Sequence, residues 1–174
     1  MPSLYAIPYY SKYLGLATSG ILAGMLLTHS TLLTPLLLAS PDHSIILRQF
    51  HHYLEHSKKP ITRLSLSSSL FFFAASYHRV TKSWPSTVRC WIAGALALSV
   101  IPYSWVVMRR TERKLEGFYE EEVAEGGVKS AKEGEVVIKG EVRGLVDWWG
   151  VVNLGRVFGA GAAFLVGIEA LRKW

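Results

Sequence analysis

Residues 145–174, LVDWWGVVNLGRVFGAGAAFLVGIEALRKW, limit what the rest of the chain can do. The stretch is apolar and longer than the roughly 20 residues a helix needs to cross a bilayer. Yet it carries an amide and a guanidinium near its start. On a helix Trp149, Asn153 and Arg156 stand at i, i+4 and i+7 and share one face. Beside that face Gly155, Gly159, Ala163 and Gly167 form a small-residue stripe at four-residue spacing. Such stripes let membrane helices approach closely. One face is therefore built to pack against a neighbour, while the adjacent edge offers polar groups inward. A charge at membrane depth is disfavoured by roughly 2.5–3.5 kcal/mol on insertion scales, which makes Arg156 a functional candidate. The competing reading is an arginine that snorkels from the helix end.

Half of the 174 residues are hydrophobic, and they fall in long runs. That argues for a membrane domain rather than one large soluble core. The formal charge of +6 comes from Lys and Arg placed between the runs and at their ends. This is loop charge that sets membrane orientation, not a nucleic-acid face, so no nucleic-acid partner is expected. It favours the first and third connections on the cytosolic side. Cys90 is the single cysteine, which rules out an internal disulfide. The first apolar run is too long for a cleavable signal and has no basic leader beyond Lys12, so it reads as an uncleaved signal-anchor. The expectation is a multi-pass protein of the endoplasmic reticulum or another endomembrane.

In chain order, Tyr5, Tyr9, Tyr10 and Tyr13 look like an interfacial aromatic belt ahead of a first span at about 13–38. Gly20, Gly24 and Thr28 repeat the small-residue spacing there, and His29 comes next as a buried hydrogen-bonding group or a proton-transfer group. Residues 42–57 are too polar to span and predict a short interfacial helix, capped by Ser40 or Asp42 and stopped before Pro60. Its apolar side holds Ile46, Phe50, Tyr53 and Leu54; Arg48, Gln49, His52 and Glu55 lie round the other. A second span at about 61–78 closes on His78 and Arg79, and a third, kinked at Pro102, runs over about 87–108. Residues 109–147, charged and interrupted by glycine, predict a mobile hydrophilic loop before the fourth span at about 149–171. The fold class expected is all-α: a four-transmembrane-helix bundle with a short interfacial helix after the first span, one membrane domain over 1–174.

The most tempting local motif is His52-Tyr53-Leu54-Glu55-His56, a literal H-x-x-E-H that sets two imidazoles on one helix face with a carboxylate beside them. A third ligand on another element and a soluble domain to shape a peptide cleft are both missing from the pattern, so the histidines read first as a solvated interfacial face. Three of the six histidines cluster, too few for a histidine-rich di-iron oxygenase. No phosphate-cradling glycine loop, nucleophile elbow or cysteine pair occurs.

Three groups of residues carry a resemblance. Leu47-Arg48-Gln49-Phe50 with Tyr53 comes after the first span; Pro102-Tyr103-Ser104, Val107-Met108 and Thr111-x-x-x-Leu115 leave the third; Trp149-Gly150-x-x-Asn153-x-x-Arg156 opens the last. Together they resemble the small four-span membrane family that includes the fungal anthrone oxygenases of aromatic polyketide pathways. The resemblance covers nearly the whole chain, and Trp-x-x-x-Asn-x-x-Arg is its most specific part. The chain departs from the family pattern at Phe50, usually Trp, and at Glu112, where the exit of the third span usually ends in Asn.

The resemblance implies a cofactor-independent monooxygenase, with no metal, acting on an anthrone and dioxygen in a lipid bilayer. Loss of a proton from the acidic ring methylene gives an anion that reacts with dioxygen directly, and collapse of the peroxide gives the anthraquinone. Such a site needs a base, a cation or donors for the oxyanion, and a dry flat pocket. His29 is the candidate base, with His52 the alternative. Arg48, Arg156 and Asn153 are candidates to hold the enolate or phenolic oxygens. Trp149 and Tyr103 are candidates to stack on the tricycle, with Gln49 and His52 as further substrate contacts. The rival reading is a non-enzymatic four-span scaffold or carrier for a hydrophobic metabolite, and a metal enzyme centred on His52 and His56 stands third.

Overall fold

The computed structural model describes residues 6–77, 84–124 and 134–172. Tyr5, the His78–Arg79 close of the second span, the start of the turn after it, and the stretch 125–133 lie outside the described residues. Every described element is helical, and they join into four long rods. The first is α1 (Ala6–Thr28), a π-helical turn π1 (His29–Leu33) and α2 (Thr34–Leu38). The second is α3 (His43–Tyr77), a single helix. The third is α4 (Trp84–Tyr103), a second π-helical turn π2 (Ser104–Met108) and α5 (Arg109–Ala124). The last is α6 (Gly134–Arg172). Three rods, over 10–38, 86–124 and 139–172, are long and apolar enough to cross a membrane. α3 is not among them: its first half is polar and its second holds Ser65, Ser67, Ser68 and Ser69.

Local chemistry explains the wide turns. Pro35 has no N–H to give the preceding turn, and the backbone loosens there. The Thr34 N–H and its hydroxyl both donate instead to the His29 carbonyl. Pro102 stands just ahead of π2, where the Ser104 hydroxyl donates to the Val100 carbonyl. Asp42 caps α3 by accepting the Ser44 N–H at 3.1 Å, which also holds its carboxyl below the usual carboxylate range.

Two expectations are corrected. The interfacial helix expected over 42–57 does not stop before Pro60; α3 runs on to Tyr77. Burial of Leu54, Ser57 and Ile61 on both sides of the proline holds the helix together where one backbone bond is lost. The hydrophilic loop expected over 109–147 is helical at Arg109–Ala124 and again from Gly134. α5 is amphipathic: Thr111, Glu112 and Leu115 are buried, and Phe118 and Tyr119 pack on the core.

α1 packs between α3 and α6, and α4 packs between the same two, so the rods form a ring of four neighbours. Cross-links fix the directions. At one end the Lys12 ammonium donates to Ser86 at 3.2 Å, and Ser86 donates to the Ala170 carbonyl at 3.0 Å. The start of α1, the start of α4 and the end of α6 therefore meet there. At the other end the finish of the first and third rods meets the first half of α3 and of α6. The larger core cluster lies at this second end, where Phe50, Leu54, Met108, Leu115, Val146 and Trp149 are buried. Small residues make the close approaches: Gly150 faces Thr34, Gly155 faces Tyr103 and Gly167 faces Phe72. Large apolar side chains, among them Ile21, Leu32, Leu36, Trp105, Val106 and Phe158, stay exposed on the outside, the character of a lipid-facing surface.

Candidate active site

The polar face read from the last apolar run is buried at the second end of the bundle. Asn153 is fully buried and donates through Nδ2 to the Leu26 carbonyl at 3.1 Å and to the Ser30 hydroxyl at 2.9 Å. It thereby ties α6 to the last turn of α1 and to π1. Its Oδ1 accepts from Arg156 at 3.4 Å. Arg156, 7% exposed, also donates from Nε to the Ser104 hydroxyl at 2.7 Å. Its hydrogen bonds thus go to neutral oxygens, and no carboxylate pairs with it among the described residues. A buried guanidinium is costly; the Glu112 carboxylate, which lines a cavity with it, attracts it without an ion pair, so no anion touches the guanidinium directly.

Next to it lies an aromatic set drawn from α3 and α6. Trp149 is buried, with edge-on contacts to Phe50 at 5.2 Å and to Tyr53 at 5.6 Å between ring centres. The Tyr53 hydroxyl stands 2.7 Å from His29 Nδ1, and their rings meet edge to face. Burial pushes the Tyr53 hydroxyl up to about 12, so at neutral pH it carries its proton, and the tautomer of His29 sets which of the two groups donates in this contact. On the far side Tyr103 donates to the Val152 carbonyl at 3.0 Å. That contact needs Gly155, because a Cβ there would meet the Tyr103 ring and hydroxyl.

A cavity of about 290 Å³ opens beside these groups, lined by Arg156, Ser104, Trp149, Ser57, Lys58 and Glu112 among others. Glu112 accepts the Trp149 indole N–H at 3.4 Å and pairs with Lys58 at 3.1 Å. Lys58 also pairs with Glu116 at 3.3 Å. Burial works against the Lys58 ammonium, but Glu112 and Glu116 outweigh it and push its pKa up. Glu112 stands where the resemblance expects Asn, and its added negative charge is matched by Lys58. A second, shallower groove of about 520 Å³ runs between the first rod and α6, past Ser30, Thr34, Asp147 and Gly150.

Of the candidates read from the sequence, Trp149 and Arg156 line the cavity; Asn153 holds Arg156, His29 connects to Trp149 through Tyr53, and Tyr103 bonds to α6 beside them. Arg48, Gln49 and His52 are exposed on α3 and do not line the cavity. Tyr53, Ser104, Ser30 and Glu112 join the cluster without having been singled out for it. Tyr53 and Ser104 sit inside the family-like motifs, which was the signal that could have found them; nothing pointed to Ser30.

Comparison with known proteins adds a family. A family model described as anthrone oxygenase matches residues 50–166, a stretch that holds Tyr53, Tyr103, Glu112, Trp149, Asn153 and Arg156. A curated protein of Emericella nidulans named anthrone oxygenase is 25% identical over an alignment 133 positions long, gaps included, that covers 69% of this chain and 68% of that one. No solved structure matches.

Proposed function

This chain belongs to the anthrone oxygenase family, and from that premise we propose that it is a four-span membrane enzyme that oxidises a polyketide anthrone to the anthraquinone without a cofactor. The overall change is a ring methylene plus dioxygen giving a ketone plus water. The substrate supplies all four electrons, so no external reductant is needed. One oxygen atom ends in the new carbonyl and the other in water.

The observation that carries the reading is Arg156, buried and held by neutral partners at the wall of a cavity. At about 290 Å³ the cavity sits at the lower edge of the roughly 300–1,000 Å³ usual for small-ligand sites. In this scheme the methylene proton leaves through Tyr53, which passes its own proton to His29 Nδ1. The charge that develops on the anthrone oxygen falls to Arg156, with Ser104 and Asn153 fixing the guanidinium. Fixed donors aimed at developing charge in a dry site are the largest single source of such acceleration. Trp149 bounds the flat tricycle, which enters from the bilayer, and Tyr103 supports α6 behind that wall. The anion adds dioxygen at the former methylene carbon, and the peroxide loses water.

The test is oxygen uptake by chelator-treated membranes that contain the protein, supplied with emodin anthrone and corrected for membranes without it. Uptake that Arg156→Ala removes supports the reading. Anthrone binding with no excess uptake from any of several anthrones moves the protein to the carrier class.

A further inference from the structure

The outer face of α3 holds a set of side chains that the anthrone reaction leaves unused. His52, Glu55 and His56 are exposed, occupy one helical turn, and each offers a ligand atom within 4.8 Å of the other two. The two imidazole rings are 4.2 Å apart. His56 Nδ1 lies 2.9 Å from the His52 carbonyl. A carbonyl only accepts, so in the neutral ring that contact holds the proton on Nδ1 and leaves the lone pair on Nε2. The same bond restrains the ring's rotation. Metal-binding histidines are oriented in this way, through a hydrogen bond from the nitrogen that does not bind the metal.

We propose that His52, Glu55 and His56 bind one divalent transition-metal ion of the zinc class. Two imidazoles and one carboxylate supply three ligands and water completes the shell. A tetrahedral ion with bonds of about 2.0–2.2 Å holds its ligand atoms about 3.4 Å apart. Rotation of exposed side chains about their χ angles closes the remaining gap, with no movement of the helix. Two ring nitrogens select zinc, nickel or copper over calcium and magnesium, which prefer all-oxygen shells. None of the three residues lines the cavity, so the ion stands apart from the anthrone. Its effect is mechanical. Bridging positions i and i+4 clamps the turn of α3 that carries Tyr53 towards His29. An ion bound only by the folded state also raises stability by mass action.

The experiment uses the full chain in detergent micelles, stripped with a chelator and titrated with zinc alone by calorimetry. Binding needs no anthrone, so the result is independent of the oxygenase reading. The expected outcome is one equivalent bound by the wild type and by His43→Ala, which removes a histidine of α3 outside the cluster. That equivalent disappears from the double variant His52→Ala/His56→Ala, and Glu55→Gln binds at least about tenfold more weakly. Zinc should also raise the thermal unfolding midpoint of the wild type and not that of the double variant. Circular dichroism of the stripped proteins checks that the variants retain their helix content. No equivalent in the wild type, or an unchanged one in the double variant, overturns the proposal.

Discussion

The Tyr53 hydroxyl lies 2.7 Å from His29 Nδ1, and this one contact joins the polar half of α3 to the widened turn of the first rod. The π-helical turn matters to it. An extra residue in the turn rotates the remainder of the rod relative to a regular helix, and such turns recur at functional sites. Here π1 begins at His29 and π2 begins at Ser104, so each widened turn starts on a side chain of the candidate site.

If Tyr53 relays the substrate proton, Tyr53→Phe keeps the ring packing on Trp149 and removes only the hydroxyl. Turnover should fall by about 10²–10⁴-fold, the usual contribution of a positioned acid or base, while KM stays within a few-fold. Steady-state oxygen uptake separates the two constants. A merely structural role for the hydroxyl would instead lower stability and leave kcat close to the wild type.

The same hydroxyl makes a prediction about pH. Its folded-state value is raised by burial from 10.0 to about 12, so ionisation is resisted in the folded protein. The stability this contributes is complete below about pH 10 and is lost as pH rises through about 12. Unfolding free energy should therefore drop more steeply above pH 10 in the wild type than in Tyr53→Phe. Denaturant unfolding in detergent at a series of pH values reads the difference.

For Arg156 the prediction runs in two directions at once. Taking a guanidinium out of water costs several kcal/mol, and an apolar chain of similar length in its place removes that cost. Arg156→Met should therefore unfold no earlier than the wild type, while oxygen uptake falls by at least about 10²-fold through loss of oxyanion stabilisation. Arg156→Lys keeps a charge but loses the planar fork that reaches Ser104 and Asn153 together, and should recover little. Arg48→Ala, on the exposed side of α3, should cost far less than either.

Much of this arrangement was legible in the residues. Trp149, Asn153 and Arg156 could be placed on one face because helical periodicity is local and the run was long. The small-residue stripe likewise announced close packing, and Gly155 against Tyr103 is one place where it acts. Which face of α3 turns inward could not be read in the same way. Arg48 and Tyr53 both lay near the family-like motif, five positions apart, and only packing against π1 and α6 selects Tyr53. α5 was hidden for a different reason. Its charges and the glycines that follow it resemble a solvated loop, and the burial of Thr111, Glu112 and Leu115 depends on contacts with other helices.

Gly155 offers a test of the close approach itself. A Cβ at that position meets the Tyr103 hydroxyl before any other atom. Gly155→Ala should destabilise by about 1–3 kcal/mol, the usual cost of overpacking. Tyr103→Phe removes the nearest atom in the way and leaves the ring carbon behind it, so part of the cost persists and the double variant should be more stable than the sum of the single changes predicts. Thermal or denaturant unfolding of the four proteins completes the cycle, and strict additivity would show that the two residues do not meet.

The Lys58–Glu112 pair gives the last prediction. Glu112 is 8% exposed and divides its carboxylate between the Trp149 N–H and the Lys58 ammonium. Lys58→Met leaves that carboxylate buried with only the indole as partner. Removing the half-exposed cation alone costs more than removing both charges, because the buried carboxylate keeps its desolvation penalty. Lys58→Met should therefore be less stable than Glu112→Gln, and adding Glu112→Gln to Lys58→Met should restore part of the loss. Glu112→Gln alone keeps an acceptor for Trp149, so the indole stays in place and oxygen uptake should remain measurable. A Lys58→Met protein as stable as the wild type would mean that the pair is solvated, and that Glu112 is held by water rather than by the lysine.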